Sequence, residues 1–274
     1  MRRQSLEQLE RTVADGPPYA AEFLRALAQD PRAGAQRLLA RCERKRDAMA
    51  AEEARCHELF AFERAACAAG NQRIAGVDEA GRGPLAGPIV AAAVILNGDA
   101  PRGLNDSKQI REDQRETLFD ALHAGAHTIG VAVIEPQAID AWGIQQANMT
   151  AMRQAVEALA PAPDYLLVDG FALPGAPCPH ERIIKGDARS LTIAAASIIA
   201  KVTRDRLMLA LDTQYPGYGF AQHKGYGTRA HLDAIAQLGP CPAHRTSFAP
   251  IAQAASQSPL FAHPERTPPA CAPS

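Results

Sequence analysis

The chain has 274 residues, of which 47% are hydrophobic and 22% charged, a balance typical of a globular protein with one or two cores. Its 29 lysines and arginines face 30 aspartates and glutamates, so no overall positive field marks it as a nucleic-acid binder. The longest apolar runs, 89–96 and 193–200, are far shorter than the roughly 20 residues of a membrane span. The N-terminal residues lack the apolar run and small-residue cleavage site of a secretory signal, so we expect a cytoplasmic protein that does not bind membranes.

Residues 1–70 carry helical patterns almost throughout. Two breaks, Gly16-Pro17-Pro18 and Asp30-Pro31, divide them into three segments. In the third segment, apolar side chains recur at helical spacing as far as Phe60 and predict a helix over 36–69. At about 50 Å this helix would be too long to bury along its whole length, so we expect it to project or to pack as a hairpin. We therefore expect a helical N-terminal extension that ends at Gly70.

Residues 71–250 show a different pattern, in which short runs rich in valine, isoleucine and alanine alternate with glycine-containing turns. Strands are predicted at 74–77, 88–96, 128–134, 165–169 and 182–185, and helices at 111–124, 145–160, 190–214 and 228–238. This order predicts an α/β fold, a mixed sheet with helices on both faces. Residues 251–274 are rich in proline, serine and alanine, and we expect them to form a disordered tail.

Two adjacent carboxylates, Asp78 and Glu79, follow the first predicted strand and precede a loop of glycine and proline. A single aspartate at a strand end usually caps a turn. Asp169 argues against that interpretation because it ends another buried strand, where an unpaired carboxylate would be costly. Asp187 ends the next predicted strand, so we expect the four carboxylates to share one edge of the sheet.

Carboxylates gathered at one place raise one another's pKa values, and divalent cations remove this conflict. A ligand set of oxygens without histidine or cysteine selects Mg²⁺ or Mn²⁺ rather than zinc or copper. Two such ions about 3.5–4 Å apart are the usual apparatus for the attack of water on a phosphodiester. The four carboxylates therefore predict a phosphoryl-transfer enzyme that uses Mn²⁺ or Mg²⁺.

The loop Gly81-Arg82-Gly83 lies directly beside these carboxylates. Glycines let a backbone approach a ligand closely, so N–H groups of this loop could bind a sugar hydroxyl or a phosphate. The loop is not a Walker motif, because no G-K-[ST] follows. It is not a dinucleotide fingerprint either, because Gly87 falls one position too late and Pro84 and Pro88 disturb the helix start.

The segment 74–88 resembles the signature of the type 2 ribonucleases H, the bacterial ribonuclease HII family. Further segments match the family in order: Leu104 to Lys108, Val168 to Gly170, Lys185 to Asp187, Ala195 to Asp205, His223 to Thr228 and His244 to Phe248. The matches span about residues 73–250, and a series of segments in order is far more specific than any one of them.

The resemblance implies a ribonuclease H-like fold and an endonuclease that cuts the RNA strand of RNA/DNA hybrids. It also implies incision at single ribonucleotides embedded in duplex DNA, leaving a 3′-hydroxyl and a 5′-phosphate. RNA/DNA hybrids and ribonucleotide-containing DNA are therefore the expected partners, whereas the sequence names no protein partner. The expected biological role is the removal of ribonucleotides during DNA replication and repair.

The resemblance also implies roles for individual residues. Asp78, Glu79, Asp169 and Asp187 match the family's metal-binding carboxylates. Gly81, Arg82 and Gly83 match the loop that senses the ribose 2′-hydroxyl, the group that distinguishes RNA from DNA. Tyr226 matches the tyrosine that stacks under the sugar on the deoxyribose side of the junction.

Four more polar residues of the matched segments are candidates for contacts with backbone phosphates: Ser107, Lys108, Lys201 and Arg204. Ser107 and Lys108 could instead cap the helix predicted at 111–124. Lys201 and Arg204 lie three positions apart on one helical face, which suits phosphate contacts and ordinary solvation equally.

Two alternative functions compete with a ribonuclease H. A transposase or integrase-like nuclease could use a related carboxylate site, but the Gly81-Arg82-Gly83 loop and Tyr226 argue against it, and an all-DNA substrate would discriminate the two. A non-catalytic module that binds hybrids is disfavoured because all four carboxylates are present.

Overall fold

The computed structural model describes residues 5–257, and the chain divides between Leu59 and Phe60 into two compact units. The first unit contains three helices: α1 (Leu6–Ala14), α2 (Ala21–Gln29) and α3 (Ala33–Leu59). Ser5 and Gln8 form a capping box at the start of α1. The helices of this unit share one apolar cluster, which consists of Leu9, Val13, Leu27, Ala35, Leu38 and Cys42.

The helix predicted over 36–69 is interrupted in the structure. Helix α3 ends at Leu59, and a separate helix, α4 (Ala61–Ala68), begins the second unit. Phe60, between them, has φ −87° and ψ 14°, outside the helical region. No glycine or proline marks this break in the sequence, and the helical pattern therefore gives no sign of it.

The second unit contains α4 and the following elements in chain order: β1 (Ile74–Ala80), β2 (Ile89–Ile95), α5 (Glu112–Ala124), β3 (Thr128–Ile134), α6 (Pro136–Trp142), α7 (Ile144–Glu157), β4 (Tyr165–Asp169), β5 (His180–Ile183), α8 (Leu191–Gln214), α9 (Phe220–His223), α10 (Arg229–Leu238) and α11 (Ala249–Gln257). Within residues 5–257, no helix is both long enough and apolar enough to cross a membrane.

One five-stranded sheet forms the centre of the second unit, with the strand order β3-β2-β1-β4-β5. Strands β1, β2 and β3 form an antiparallel meander, whereas β4 and β5 continue the sheet from β1 in parallel. The predicted α/β fold with a mixed sheet flanked by helices is thereby confirmed.

Alternation along β1 gives the sheet two covered faces. Ala75 and Val77 belong to the core beneath α7, together with the small and aliphatic side chains of that helix. Gly76 faces α8, and a Cβ atom at this position would overlap the backbone of Thr192 and Ile193. Glycine at position 76 is therefore what lets α8 lie directly against the centre of the sheet.

Two further expectations differ from the structure. The last strand was predicted over 182–185, but β5 ends at Ile183 because Lys185 has a φ of +56°, which does not continue an extended strand. The segment 251–257, expected to be disordered, belongs to α11, where Ile251 is buried in the cluster with Phe220 and Met208. The rest of the predicted tail, 258–274, lies outside the described residues.

Candidate active site

The strand pairing explains how two of the predicted carboxylates meet. Strands β1 and β4 are parallel, and their register pairs Val77 with Val168. Asp78 and Asp169 each follow these residues directly, so they stand at the same level on adjacent strands. Alternation along β1 places Asp78 on the face covered by α8 and Glu79 on the opposite face.

A third carboxylate reaches this place by another route. The prediction that Asp187 ends a strand is wrong. Asp187 lies in a 3-10 turn, Gly186–Ala188, after β5. This turn is held against β4, since the Gly186 N–H donates to Asp169 Oδ1 at 2.6 Å. One carboxylate oxygen each from Asp78, Asp169 and Asp187 lies within 4.8 Å of the other two.

Burial and the repulsion of neighbouring carboxylates raise the pKa values of Asp78, Glu79 and Asp169. Burial raises the pKa of Asp78 well above its ordinary value, and the charges of Glu79 and Asp169 raise it further. Burial also raises the pKa of Glu79 to about 6, although the Arg82 guanidinium lowers it. The pKa of Asp169 is raised by burial as well, against the effect of the Gly186 N–H. The negative charge of these carboxylates is therefore only partly offset by other groups of the protein.

Glu79 is held by side chains from other elements. Arg82 lies 3.6 Å from Glu79, donates to Gln145 Oε1 at 3.3 Å, and has its guanidinium carbon 4.2 Å from the centre of the Phe171 ring. Among the described side chains, Glu79 Oε2 is buried without a hydrogen-bond partner. This oxygen is therefore available to an additional ligand.

A pocket of about 450 Å³ opens beside the cluster. Its walls include most of the residues predicted from the sequence: Asp78, Glu79, Gly81, Arg82, Gly83, Ser107, Lys108, Asp169, Lys201, Arg204 and Tyr226. Asp187 joins them through Lys108, whose Nζ donates to Asp187 Oδ2 at 3.1 Å. The structure thus brings the predicted site residues together. They differ in burial and in their hydrogen-bond partners.

The predicted phosphate contacts have different surroundings. Lys108 is exposed, whereas Ser107 is buried and its hydroxyl accepts a hydrogen bond from Ser197 at 2.7 Å. Neither residue caps α5, which begins at Glu112 after Arg111. Lys201 is partly buried and donates to Asp205 at 2.6 Å, and desolvation lowers its pKa.

The surroundings of Arg204 argue against the predicted phosphate contact, although the residue borders the pocket. Its side chain is 1% exposed, and each of its three guanidinium nitrogens donates to a backbone carbonyl. The acceptors are the carbonyl oxygens of Pro88, Lys224 and Ala86, at 3.0, 3.0 and 3.1 Å. Arg204 therefore holds loops at the wall of the pocket, and each of its guanidinium nitrogens already has a carbonyl partner.

Tyr226 has the surroundings of an accessible stacking platform. Its side chain is 48% exposed at the pocket, next to Gly83. The Tyr226 carbonyl lies 2.9 Å from Nδ1 of the buried His231, and His231 in turn contacts His244 through Nε2 at 3.1 Å. Burial and the neighbouring His231 lower the pKa of His244 to about 4, so this histidine pair is uncharged at neutral pH.

Sequence reasoning missed several residues that support the site. Ser197 from α8 is buried beside Asp78, and Asn148 from α7 lies beside Glu79. Ser197 and Arg245 belong to matched segments, which is a signal that could have found them. Nothing in the local sequence marks Asn148, Gln145 or Phe171, because their relation to the carboxylates arises only when the sheet forms.

Comparisons with known proteins identify the family of this chain. The family model described as "Ribonuclease HII" matches residues 75–251, and the one described as "Ribonuclease HII N-terminal domain" matches residues 6–67. The chain belongs to the ribonuclease HII family. Like the family, it is an enzyme, a metal-dependent endoribonuclease of the ribonuclease H class.

Relatives match this family member over nearly its whole length. The ribonuclease HII of Geobacillus kaustophilus is 51% identical over 256 residues, which cover 92% of this chain and 96% of the relative. The ribonuclease HII of Enterococcus faecalis is 46% identical over 252 residues, which cover 92% of this chain and 98% of the relative. Both units of the chain therefore have counterparts in the family.

Two solved structures each match about two thirds of this chain. The ribonuclease H2 of Pyrococcus horikoshii superposes with a TM-score of 0.58 at 28% identity, over 67% of this chain and 97% of that one. The ribonuclease HII of Archaeoglobus fulgidus, solved in a complex with PCNA, gives a TM-score of 0.56 at 26% identity, over 65% and 95%. The ribonuclease HII family member described here thus shares its sheet architecture with experimentally solved relatives.

Proposed function

We propose that this enzyme cuts the RNA strand of RNA/DNA hybrids and incises duplex DNA on the 5′ side of embedded ribonucleotides. One observation carries the proposal. The cluster of Asp78, Asp169 and Asp187, the glycine loop 81–83 and the exposed Tyr226 all border one pocket or touch its walls. The acidic cluster, which would carry out hydrolysis, is therefore adjacent to the groups that would distinguish ribose from deoxyribose.

The residues at this pocket fit divalent metal ions. The cluster offers carboxylate oxygens within 4.8 Å of one another, and Glu79 adds a buried oxygen without a partner. Oxygen donors of this kind suit Mg²⁺ or Mn²⁺. We assign Asp78, Glu79, Asp169 and Asp187 to holding the ions.

When bound, a pair of divalent ions supplies activation of the attacking water and stabilisation of charge on the leaving oxygen. The chain itself has to hold its carboxylates ionised and in a fixed place. The Gly186 N–H fixes Asp169, and the Glu79 N–H donates to Asp78 Oδ1 at 2.8 Å. Cleavage of the bond to the 3′ oxygen then leaves a 3′-hydroxyl and a 5′-phosphate.

Recognition of the ribose falls to the glycine loop and to Tyr226. Gly83 is exposed beside the tyrosine ring, so a nucleotide that contacts the backbone of 81–83 would also meet the face of that ring. Backbone N–H groups can bind a 2′-hydroxyl, which deoxyribose lacks. The Tyr226 ring would stack against the sugar of the adjacent nucleotide. A deoxyribose there suits this contact because it lacks the 2′-hydroxyl.

Basic and hydroxyl side chains at the pocket supply contacts to backbone phosphates. Lys108 is the most accessible of them, while Ser107 and Lys201 line the wall. Because phosphate contacts carry no sequence information, these residues would position either DNA or a hybrid. Discrimination then depends on the loop 81–83.

The test is a cleavage assay on matched duplexes that differ at one position: a ribonucleotide, a deoxynucleotide or a 2′-methoxy nucleotide. We expect cleavage on the 5′ side of the ribonucleotide only, and only with Mg²⁺ or Mn²⁺ present. An RNA/DNA hybrid of the same sequence should also be cut. Comparable cutting of the all-DNA duplex would overturn the proposal and favour a general nuclease.

A further inference from the structure

Two buried arginines lie beneath the glycine loop, and neither has a carboxylate among its hydrogen-bond acceptors within the described residues. Arg204 and Arg245 are 1% and 0% exposed. Charged side chains are rarely buried without an ionic partner, because desolvation is costly. Burial lowers the pKa of both, that of Arg245 to about 9, and Arg204 contributes to the shift of Arg245 by repulsion. Because burying two arginines costs desolvation free energy, the contacts that they make in return have to offset it.

Arg245 binds the carbonyl oxygens of the glycine loop. Its Nη2 donates to Gly81 O at 2.6 Å and to Gly87 O at 2.8 Å, its Nη1 to Arg82 O at 3.1 Å, and its Nε to Gly87 O at 2.9 Å. Its own backbone N–H donates to Leu85 O at 2.9 Å. One side chain thus holds both ends of a tight loop.

The direction of these carbonyls fixes the direction of the neighbouring N–H groups. In a planar trans peptide unit, the C=O of one residue and the N–H of the next point in opposite directions. The carbonyls of Gly81 and Arg82 point at the buried Arg245. The N–H groups of Arg82 and Gly83 therefore point away from it, and both residues line the pocket.

Arg204 holds the other half of the loop. It binds the carbonyls of Ala86 and Pro88 and that of Lys224, but none in the segment 81–83. Gly81 has a φ of +99°, and a Cβ atom there would overlap the Arg204 side chain. Glycine at position 81 is therefore required both by its backbone conformation and by this arginine.

We propose that Arg245 is a positioning residue for ribose recognition. By holding the Gly81 and Arg82 carbonyls, it keeps the Arg82 and Gly83 N–H groups directed at the 2′-hydroxyl. This inference rests on the proposed function, in which the backbone of 81–83 senses the ribose. A flexible lysine cannot hold three carbonyls with the fixed fork of a guanidinium, so Arg245→Lys keeps a cationic side chain but releases the loop.

The experiment compares binding of two duplexes, identical except for one ribonucleotide, in the Asp78→Asn background so that cleavage does not interfere. The quantity measured is the ratio of the dissociation constants for the DNA and the ribonucleotide duplex. With the native loop, a 2′-hydroxyl bound by backbone N–H groups should give a ratio of about tenfold. Arg245→Lys should lower it to about twofold or less, while the affinity for the DNA duplex changes little.

Arg204→Lys is the matched control, because it changes another buried arginine of the same loop that does not hold the carbonyls of Gly81 and Arg82. A general loss of folded protein lowers the apparent affinity for both duplexes equally, so the ratio isolates the positioning role. We expect Arg204→Lys to keep the ratio. The proposal is overturned if Arg245→Lys keeps the ratio as well, or if both variants lose it to the same extent.

Two measurements on proteins that retain Arg245 complete the test. If the native loop shows no ratio above about twofold, the backbone of 81–83 does not sense the ribose in the bound duplex, which is a result distinct from an unchanged ratio in Arg245→Lys. If Arg245→Lys does not fold, the test uses the NMR amide resonances of the parent Asp78→Asn protein, recorded with each duplex. Those of Arg82 and Gly83 should shift with the ribonucleotide duplex and stay unchanged with the DNA duplex, and a lack of any difference overturns the proposal.

Discussion

The side chain of Lys108 reaches the carboxylate of Asp187, where its Nζ donates to Oδ2 at 3.1 Å across 79 positions of sequence. Lys108 is 74% exposed, whereas Asp187 is buried. The ammonium group therefore lies between the acidic cluster and solvent. It offsets part of the cluster's negative charge and remains accessible to a phosphate of an incoming duplex.

Replacing Lys108 should weaken nucleic-acid binding without changing ribose preference. Loss of one phosphate contact lowers the slope of log affinity against log salt concentration by about 0.9. For Lys108→Ala we expect weaker binding of both the all-DNA and the single-ribonucleotide duplex, with their affinity ratio kept. Titrations at several salt concentrations measure both quantities. Arg153→Ala, which changes a basic residue on α7 that contacts Pro174, serves as the control and should leave the slope unchanged.

Asp78→Asn should abolish turnover while the protein stays folded. The amide keeps the shape of the side chain but removes a charge that divalent ions need, and it also removes repulsion with Glu79 and Asp169. Single-turnover cleavage with Mg²⁺ or Mn²⁺ measures the effect, with circular dichroism as the folding check. Activity within about tenfold of the unmodified enzyme, a difference of only about 1.4 kcal/mol, would contradict the metal assignment. Asp99→Asn, an exposed aspartate outside the pocket walls, should retain activity.

Magnesium should stabilise the fold, and more strongly at higher pH. The pKa of Glu79 is raised to about 6 from 4.5, so without metal this group contributes stability at low pH that is lost as pH rises through about 6. Divalent ions bind the ionised carboxylates and compete with protons. Melting curves with and without millimolar Mg²⁺ should therefore show a larger increase in Tm at about pH 8 than at about pH 5.5. An equal increase at both values would show that the raised carboxylates are not the ligands.

Glu63→Gln should destabilise the second unit. The Glu63 carboxylate, buried beneath the start of α8, accepts hydrogen bonds from Ser190 Oγ at 2.7 Å, Thr192 Oγ1 at 2.8 Å and Thr192 N at 2.9 Å. A negative charge there also favours the helix N-terminus. Replacing it with an amide should cost about 1–3 kcal/mol, measured by urea unfolding. The exposed Glu157→Gln on α7 is the control, and an equal effect of both variants would refute the capping role.

The order of elements and the identity of the acidic groups follow from local sequence. Strands rich in β-branched residues, each bounded by turn signals, predict the mixed sheet, and carboxylates at the ends of three of them predict an acidic edge. Parallel pairing of β1 with β4 then brings Asp78 and Asp169 to one level with no further information. The family motifs point to the same residues, because each of these carboxylates lies within a short continuous segment of the chain.

Only the tertiary structure decided which partners the matched residues have at the pocket. Lys201 and Arg204 look alike on a helical wheel and both border the pocket, yet Lys201 is partly buried beside Asp205 while Arg204 is held by carbonyls of loops 116 and 118 positions away in sequence. The same holds for Arg245, whose carbonyl acceptors lie 158 to 164 positions away. Burial and hydrogen-bond partners depend on segments distant in the chain, so no local pattern of residue types can distinguish an arginine that meets phosphate from one that holds a loop in place.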